Sequence, residues 1–319
     1  MISTVVSYMI NKNKMLRQIV SRRLRHTLAF TNHNSSSSSS KQKNKLNESI
    51  VILHGIMGSG LNFRTMARSI AKAYPNSNVI TLDLPGHGDT DMKVDTVQGC
   101  AEAVEETCRE IGLSEPTIVV GHSFGGKVAL KMYERQREKK DSRRRTSAFW
   151  ILDSTPGILE NSDLNVENPN SVAGVIRSCQ SLNPPFESKN ELMTSLQDLG
   201  VAPAIQHWMT TNIRRDEGEN AFVWKFDLNV IENLFHDYGR QDMWPVMSLS
   251  DNSTSIHLVR ATRNSTWKKQ STKENLDLAV LDGGLIVHDI DAGHWLHAEK
   301  PKELFDLMNE HSFCNLLRE

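Results

Sequence analysis

The chain has 319 residues, of which 38% are hydrophobic and 24% are charged, and its formal net charge is −1. This composition is that of an ordinary globular protein, and a net charge near zero gives no overall attraction to nucleic acid. No apolar run approaches the ~20 residues of a transmembrane helix. The four cysteines show no CxxC or zinc-like spacing, so we expect reduced thiols and no metal site.

Residues 1–47 form a basic leader that contains no Asp or Glu. Between Met15 and Arg25 its basic and apolar residues are mixed in a way that a helix could sort onto two faces. Such a segment resembles an organelle transit peptide, with a disordered basic tail or a nucleic-acid-binding arm as alternatives. The arginines are interleaved with leucines and isoleucines, which favours a mitochondrion over a plastid. The run Ser35–Ser40 predicts a loop or linker, and Thr27–Phe30 before it could be a short first strand.

Short apolar segments alternate with longer helical patterns over the first half of the chain. Predicted strands lie at Ile50–Leu53, Val79–Leu82 and 117–121, and predicted helices lie at Asn62–Ala73 and Thr96–Ile111. Strands of this length separated by helices of ten or more residues imply βαβ units. The fold class is therefore α/β with a mostly parallel central sheet.

The third of these strands leads into the sequence Gly-His-Ser-Phe-Gly, centred on Ser123, and a helical pattern follows it. A strand, a sharp turn and a helix form the context in which a G-x-S-x-G pattern is a nucleophile elbow. Glycine is needed there because the backbone segments come too close for a Cβ atom. Ser123 is therefore the predicted nucleophile, and the first amides of the next helix would face the group that it attacks.

The alternation stops after the predicted strand Ala148–Asp153 and resumes at the strand Ile256–Arg260. We interpret residues 157–247 as a helical cap inserted into an α/β core that consists of residues 48–156 and 248–319. The remaining predictions are cap helices at 172–182, 189–200, 202–211 and 228–238, a possible strand at 221–225, a last strand at Leu285–Ile290, a C-terminal helix at 301–317 and a basic surface loop at Lys139–Arg145.

A serine nucleophile needs a histidine base, and His294 has the best sequence context for that role. It lies in a loop after the last strand and just before a helix, and in this architecture the order along the chain is serine, acid, histidine. His297 and His288 are the rival candidates. A histidine at this position could also simply cap the helix.

The chain resembles the α/β-hydrolase superfamily, and within it the abhydrolase domain-containing protein eleven type and related short bacterial esterases. The resemblance rests on sequences spread from Leu53 to Pro301: L-H-G-I-M-G-S-G-L-N-F, D-L-P-G-H-G-D, V-V-G-H-S-F-G-G-K-V-A-L, L-D-S-T-P, F-V-W-K-F-D-L-N and A-G-H-W-L-H-A-E-K-P. It implies a sheet of eight strands or slightly fewer, a helical cap over the site, and hydrolysis of carboxylic or acyl-lipid esters. It implies no metal and no organic cofactor.

The position of the third catalytic group departs from the pattern of the superfamily. The usual site of the acid, the loop Ala261–Ser265, contains no carboxylate. Asp153 ends the strand that follows the nucleophile strand, which is the alternative position in some α/β-hydrolases, and it is the predicted acid. Asp227 in the cap is the second candidate. Asp289 and Asp291 are disfavoured because the chain direction beside His294 is awkward.

The resemblance also implies an oxyanion hole that is formed by the backbone N–H groups of Ile56 and Phe124. His54 and His87 nearby are expected to be structural and to bind loop backbone. Seven large apolar residues of the cap could line an acyl pocket, or most of them could simply form the core of the cap: Phe186, Trp208, Met209, Phe222, Trp224, Phe235 and Trp244.

The pattern as a whole predicts a serine hydrolase that cleaves a small or lipid-like ester through an acyl-enzyme, with no nucleic-acid partner. An alternative is carbon–carbon cleavage or elimination on a carboxylated substrate by the same residues. Such a substrate needs a cation, for which the insertion offers Arg177, Arg214 and Arg215. A second alternative is a relative of such enzymes that binds a ligand or a partner and does not catalyse.

Overall fold

The computed structural model describes residues 27–34, 48–113, 115–139, 145–216, 218, 220–248 and 253–314. The leader before Thr27, the serine run and most of the basic loop lie outside the described residues. The strands are β1 Phe30–Asn32, β2 Ser49–Leu53, β3 Asn78–Leu82, β4 Ile118–His122, β5 Ala148–Leu152, β6 Ile213–Arg215, β7 Phe222–Trp224, β8 Ser255–Ala261 and β9 Leu285–Ile290.

Seven of these strands form the central sheet, in the order β1-β3-β2-β4-β5-β8-β9. All neighbouring pairs are parallel except β1 and β3, which are antiparallel. The central strands β2, β4 and β5 are buried along their whole length, which is typical of a parallel sheet covered on both faces. The prediction of a mostly parallel α/β sheet is confirmed.

Helices connect these strands and cover the sheet. A 3₁₀ turn at Gly60–Phe63 precedes the first of them, and a π-helical turn at Asn309–Phe313 follows the last. The helices are α1 Arg64–Ala73, α2 Val97–Glu110, α3 Phe124–Glu138, α4 Val172–Ser181, α5 Lys189–Asp198, α6 Pro203–Thr210, α7 Leu228–Arg240, α8 Trp244–Met247, α9 Gln270–Leu281, α10 Leu296–Glu299 and α11 Pro301–Met308. No helix among the described residues is long and apolar enough to cross a membrane.

Two hydrophobic clusters lie on the two faces of the sheet. The smaller cluster joins the sheet to α1 and to the C-terminal helix α11. The larger cluster joins it to α2 and α3 and continues into the segment between β5 and β8. We call residues 157–247 the cap segment. Because its side chains share one apolar cluster with the sheet, burial of that surface holds the cap segment on the core, at roughly 25 cal/mol per Å² of apolar area.

Several element boundaries differ from the sequence prediction. The first strand is Phe30–Asn32 instead of Thr27–Phe30, because these are the residues that pair with Ile80–Leu82 of β3. Helix α9 at Gln270–Leu281 was not predicted, since Leu278 and Leu281 on its outer side are exposed and blur the apolar period. The C-terminal α-helix ends at Met308 and continues as the π-helical turn.

Candidate active site

Ser123 lies at the turn between β4 and α3, with φ of 51° and ψ of −116°. A Cβ atom on Gly121 would lie 2.2 Å from the carbonyl oxygen of Gly125, and one on Gly125 would lie 2.6 Å from the carbonyl oxygen of His54. Such distances are far below van der Waals contact, so both positions require glycine. The sequence Gly-His-Ser-Phe-Gly therefore forms the sharp strand-to-helix turn that its pattern predicts.

Asp153 follows the end of β5, beside the nucleophile strand, and its carboxylate is fully buried. The Nδ1 atom of His294 lies 2.7 Å from Asp153 Oδ2. Three further donors reach the same carboxylate: the Ala261 N–H at 3.0 Å, the Asn264 side-chain amide at 2.7 Å and the Trp267 indole N–H. The four donors hold this buried carboxylate in one orientation and satisfy its oxygens.

His294 is held from both sides of its loop. Its carbonyl oxygen accepts a hydrogen bond from His122 Nε2 at 2.8 Å, and the neighbouring Gly293 N–H donates to the Glu299 carboxylate. Arg263 in turn pairs with Glu299. The contact of Nδ1 with Asp153 fixes the orientation of the imidazole and leaves its other nitrogen, Nε2, able to accept a proton.

The rival histidines have other surroundings. His297 is buried, and its ring stacks on Phe63 at 4.2 Å between centroids. Burial, followed by the charge of His294, lowers the pKa of His297 to about 3. His288 lies on β9, where its Nε2 is 3.0 Å from Nδ1 of His257 and its ring centroid is 5.3 Å from that of Trp150.

The other candidate acids also have separate partners. Asp227 is the N-cap of α7, where its carboxylate accepts from the Asn229 and Val230 N–H groups, and it pairs with Lys93 at 3.2 Å. The pKa of Asp227 is lowered: its partial burial acts to raise it, but the hydrogen bonds and the charge of Lys93 outweigh that burial. Asp289 binds Arg260 through two oxygens, and Asp291 contacts Arg263.

Two residues that line the cavity beside Ser123, Ile56 and Phe124, carry the backbone N–H groups predicted to form the oxyanion hole. Neither N–H group has a hydrogen-bond partner among the described residues. The next amide along, that of Met57, is already used, because it donates to His87 Nε2 at 2.9 Å. Both amides at the predicted oxyanion positions are thus without a partner among the described residues, whereas the Met57 amide is not.

His54 and His87 hold the loop that carries Ile56, as predicted. His54 Nε2 accepts from the Leu84 N–H at 2.9 Å, and its Nδ1 donates to the Gly55 carbonyl at 2.7 Å. His87 donates through Nδ1 to the Pro85 carbonyl at 2.8 Å. Both rings are fully buried, and burial lowers the pKa of each, so both remain neutral. Each ring uses one nitrogen as a donor and the other as an acceptor, and only a neutral imidazole can do both.

In the part of the chain that the structure describes, three residues other than glycine adopt positive φ: Met57 at 55°, Ser123 at 51° and Asp153 at 44°. All three line the same cavity. Backbone strain of this kind costs on the order of 1–3 kcal/mol per residue and is concentrated at functional sites. The surrounding hydrogen bonds to Asp153 and Met57 hold the strained conformations in place.

The cavity has a volume of about 800 Å³ and lies between the C-terminal ends of the strands and the cap segment. Trp208 of α6 and Trp295 of the His294 loop meet across it, with their ring centroids 5.6 Å apart. No cluster of metal-ligating side chains is found in the described ranges. Apolar and polar residues share its walls: Ile56, Phe63, Phe124, Leu159, Val172, Val175, Ile205, Trp208, Phe235, Tyr238 and Trp295 among the larger ones, with Ser162, Asp163, Asn168, Asn170 and Ser171 among the polar ones.

Of the seven large cap residues named from the sequence, only Trp208 and Phe235 line the cavity. Four of the other five are buried inside the apolar cluster and Phe222 packs against it, and the rings of Phe186 and Trp224 are 5.2 Å apart. The expectation that most of the seven form the core of the cap is confirmed. The arginines considered for a carboxylated substrate do not line the cavity. Each has another partner: Arg177 pairs with Glu167, Arg214 with Asp89 and Arg215 with Asn220.

Two partners of Asp153, the side chains of Asn264 and Trp267, were not predicted from the sequence. Both lie in the loop and 3₁₀ turn after β8, the usual position of the acid. Asn264 brings no carboxylate there, yet its amide donates to one. The residue types in this loop could have indicated these contacts. A carboxylate supplied by the neighbouring strand needs hydrogen-bond donors, and Asn and Trp side chains both supply N–H groups.

A parallel sheet with a serine at the strand-to-helix turn and a cavity above its carboxyl edge defines an α/β-hydrolase fold. A family model described as alpha/beta hydrolase family matches residues 50–307, and the chain belongs to this family. In sequence it resembles the sn-1-specific diacylglycerol lipase ABHD11 of Mus musculus, with 23% identity over 263 residues that cover 81% of this chain and 78% of the relative. It is also similar to a probable alcohol acetyltransferase of Saccharomyces cerevisiae, with 24% identity over 80% of this chain and 74% of that one.

Solved structures share the same fold. A marine microorganism esterase superposes with a TM-score of 0.69 at 22% identity, over 89% of this chain and 98% of that one. An E-2-(acetamidomethylene)succinate hydrolase superposes with a TM-score of 0.63 at 14% identity, over 83% of this chain and 91% of that one.

Proposed function

We propose that the protein is a serine hydrolase that cleaves carboxylic esters through an acyl-enzyme. Ser123 Oγ attacks the ester carbonyl carbon, and His294 takes its proton as general base and returns it to the leaving alcohol. Asp153 holds the imidazole with its Nδ1–H toward the carboxylate. The observation that carries the proposal is the 2.7 Å contact between His294 Nδ1 and the buried Asp153 carboxylate, in the cavity that Ser123 also lines.

In this mechanism the N–H groups of Ile56 and Phe124 bind the oxyanion of the tetrahedral intermediate. They have no partner elsewhere in the described chain, so they are free to bind charge as it develops. A single such donor contributes roughly 3 kcal/mol to transition-state stabilisation in other serine hydrolases. A water molecule then repeats the attack on the acyl-enzyme and releases the acid.

The proposed substrate is a lipid-like or small acyl ester. A cavity of about 800 Å³ with many apolar lining residues is large enough for an acyl chain, and its polar residues suit an uncharged alcohol portion. The names of the lipase and esterase relatives point in the same direction. The alternative of carbon–carbon cleavage on a carboxylated substrate is less well supported by the site, because none of the three arginines lines the cavity and each is bound to another side chain.

A fluorophosphonate probe and a panel of p-nitrophenyl esters test the proposal. We expect stoichiometric probe labelling on Ser123, identified by peptide mass spectrometry, and hydrolysis of at least one ester from acetate to palmitate. Labelling without ester turnover would favour carbon–carbon or other acyl chemistry. If the protein shows no labelling and no ester turnover, the enzymatic proposal is contradicted and a ligand-binding role is favoured.

We further propose that the leader directs the protein to mitochondria, a proposal supported by its acid-free, arginine-containing sequence. Import would remove the leader, so the protein recovered from isolated mitochondria is expected to begin between the leader's arginines and Ile50. N-terminal sequencing of that protein measures this directly. Recovery from the cytosol with Met1 or its neighbour intact would contradict import.

A further inference from the structure

Lys127 is a lysine with no exposed surface, one turn into the helix that begins after Ser123. Burial of a lysine without partners is costly, so its surroundings call for an explanation. Its Nζ donates to three backbone carbonyl oxygens, those of Gly157 at 2.7 Å, Tyr238 at 2.9 Å and Gln241 at 2.8 Å. An ammonium group has three hydrogens, and here each has its own acceptor.

The three carbonyls belong to the two ends of the cap segment. Gly157 is its first residue, just after the turn that ends β5, while Tyr238 and Gln241 lie at the C-terminal end of α7. Carbonyl groups at a helix C-terminus lack partners within the helix and carry partial negative charge. One side chain of the nucleophile helix therefore binds both the entry and the exit of the cap segment.

The same contacts reach the wall of the cavity. The Lys127 Nζ lies 4.2 Å from the centroid of the Tyr238 ring, whose own centroid is 5.9 Å from that of Phe124. Leu159, two residues after Gly157, donates its N–H to the Gly239 carbonyl at 2.8 Å. Tyr238 and Leu159 both line the cavity.

We propose that Lys127 is a positioning residue that fastens both ends of the cap segment to the nucleophile helix and thereby fixes the cavity wall formed by Leu159 and Tyr238. The part of this proposal that concerns substrate binding rests on the proposed function. The part that concerns the cap does not, and it can be measured without any substrate.

Hydrogen exchange of the Lys127→Met variant tests the proposal. Methionine fills a similar volume but leaves three carbonyls without their donor. In the peptides that cover 157–160 and 236–242 we expect exchange at least about ten-fold faster than in the native protein, because local opening is less costly there. Lys131→Met is the matched control: Lys131 lies one turn further along the same helix, is partly exposed, and pairs with Glu134.

Kinetics with esters of two lengths supply the second readout. In Lys127→Met we expect KM for a long acyl ester to rise by about ten-fold, while kcat for the acetate ester changes by less than about three-fold, because Ser123, His294 and Asp153 all lie outside the cap segment. A general loss of structure would lower kcat for both esters alike. Native exchange rates in Lys127→Met, or equal effects of Lys131→Met, would overturn the proposal. If the native protein cleaves no ester, the exchange experiment still decides it.

A second variant keeps the proposal testable if Lys127→Met does not fold. In Lys127→Gln a neutral amide replaces the ammonium group, and only two N–H donors remain for the three carbonyls.

We expect exchange in the peptides that cover 157–160 and 236–242 of Lys127→Gln to be at least about three-fold faster than in the native protein, and exchange in the α2 peptides to be unchanged. Native exchange rates at the cap ends of Lys127→Gln would overturn the proposal, even if Lys127→Met failed to fold.

Discussion

Replacement of Ser123 by alanine is expected to abolish probe labelling and to reduce ester hydrolysis by about 10⁵-fold or more, which is the scale seen when a serine hydrolase loses its nucleophile. The fold should persist, because the turn depends on Gly121 and Gly125 and alanine keeps the Cβ atom that Ser123 already has. Purified Ser123→Ala protein, checked by circular dichroism and assayed with the most active ester of the panel, measures this loss.

Ser69→Ala is the control for this experiment. Ser69 lies on the outer side of α1, and its hydroxyl donates to the Thr65 carbonyl of the same helix. This variant should keep native labelling and turnover. Hydrolysis by Ser123→Ala at more than about one hundredth of the native rate would remove Ser123 from the mechanism.

The second large effect is expected from Asp153→Asn, a loss of about 10⁴-fold in kcat. The hydrogen bonds to the native carboxylate come from donors: His294, Asn264, Trp267 and the Ala261 N–H. An asparagine amide carries its own donors, so either orientation sets two donors against each other. If the amide nitrogen faces His294, Nδ1 must become an acceptor, and the proton moves to the nitrogen needed as the base.

Asp227→Asn is the matched control for this substitution. Asparagine caps a helix as well as aspartate does, so α7 keeps its N-cap. The variant loses only the partly exposed pair with Lys93, and such pairs contribute little. Measured kcat values for both variants, with thermal unfolding to confirm that each is folded, decide the acid. A larger loss in Asp227→Asn than in Asp153→Asn would contradict the assignment.

The parallel sheet was predictable because its determinants are local. The length and apolar residues of a run such as Ile50–Leu53 predict a buried strand. The glycines around Ser123 predict a tight turn, because only glycine fits where two backbone segments come so close. Asp153 and His294 could also be placed at strand ends from the sequence, because parallel strands bring their carboxyl ends to one edge. Their 2.7 Å contact is a consequence of that rule.

Features that depend on residues far apart in the chain were harder to predict from the sequence. Strand β1 has only three residues, and its bounds follow from the bonds that β3 offers rather than from its own pattern. The donors from Asn264 and Trp267 become meaningful only once β8 lies beside β5. The threefold bonding of Lys127 joins positions up to 114 residues apart, and no spacing in the sequence indicates it.

The insertion point of the cap segment has an evolutionary consequence. The segment leaves the core after β5 and returns before β8, and these two strands are direct neighbours in the sheet. Its ends lie close together, because the Met243 N–H donates to the Pro156 carbonyl at 2.9 Å. Length, sequence and shape can therefore change between them while the pairing of the strands stays the same. The groups proposed for bond cleavage, Ser123, His294 and Asp153, all lie outside it. Such a chain can acquire a new substrate preference by rewriting one continuous segment, and related proteins with different ester substrates can diverge there first without losing their common chemistry.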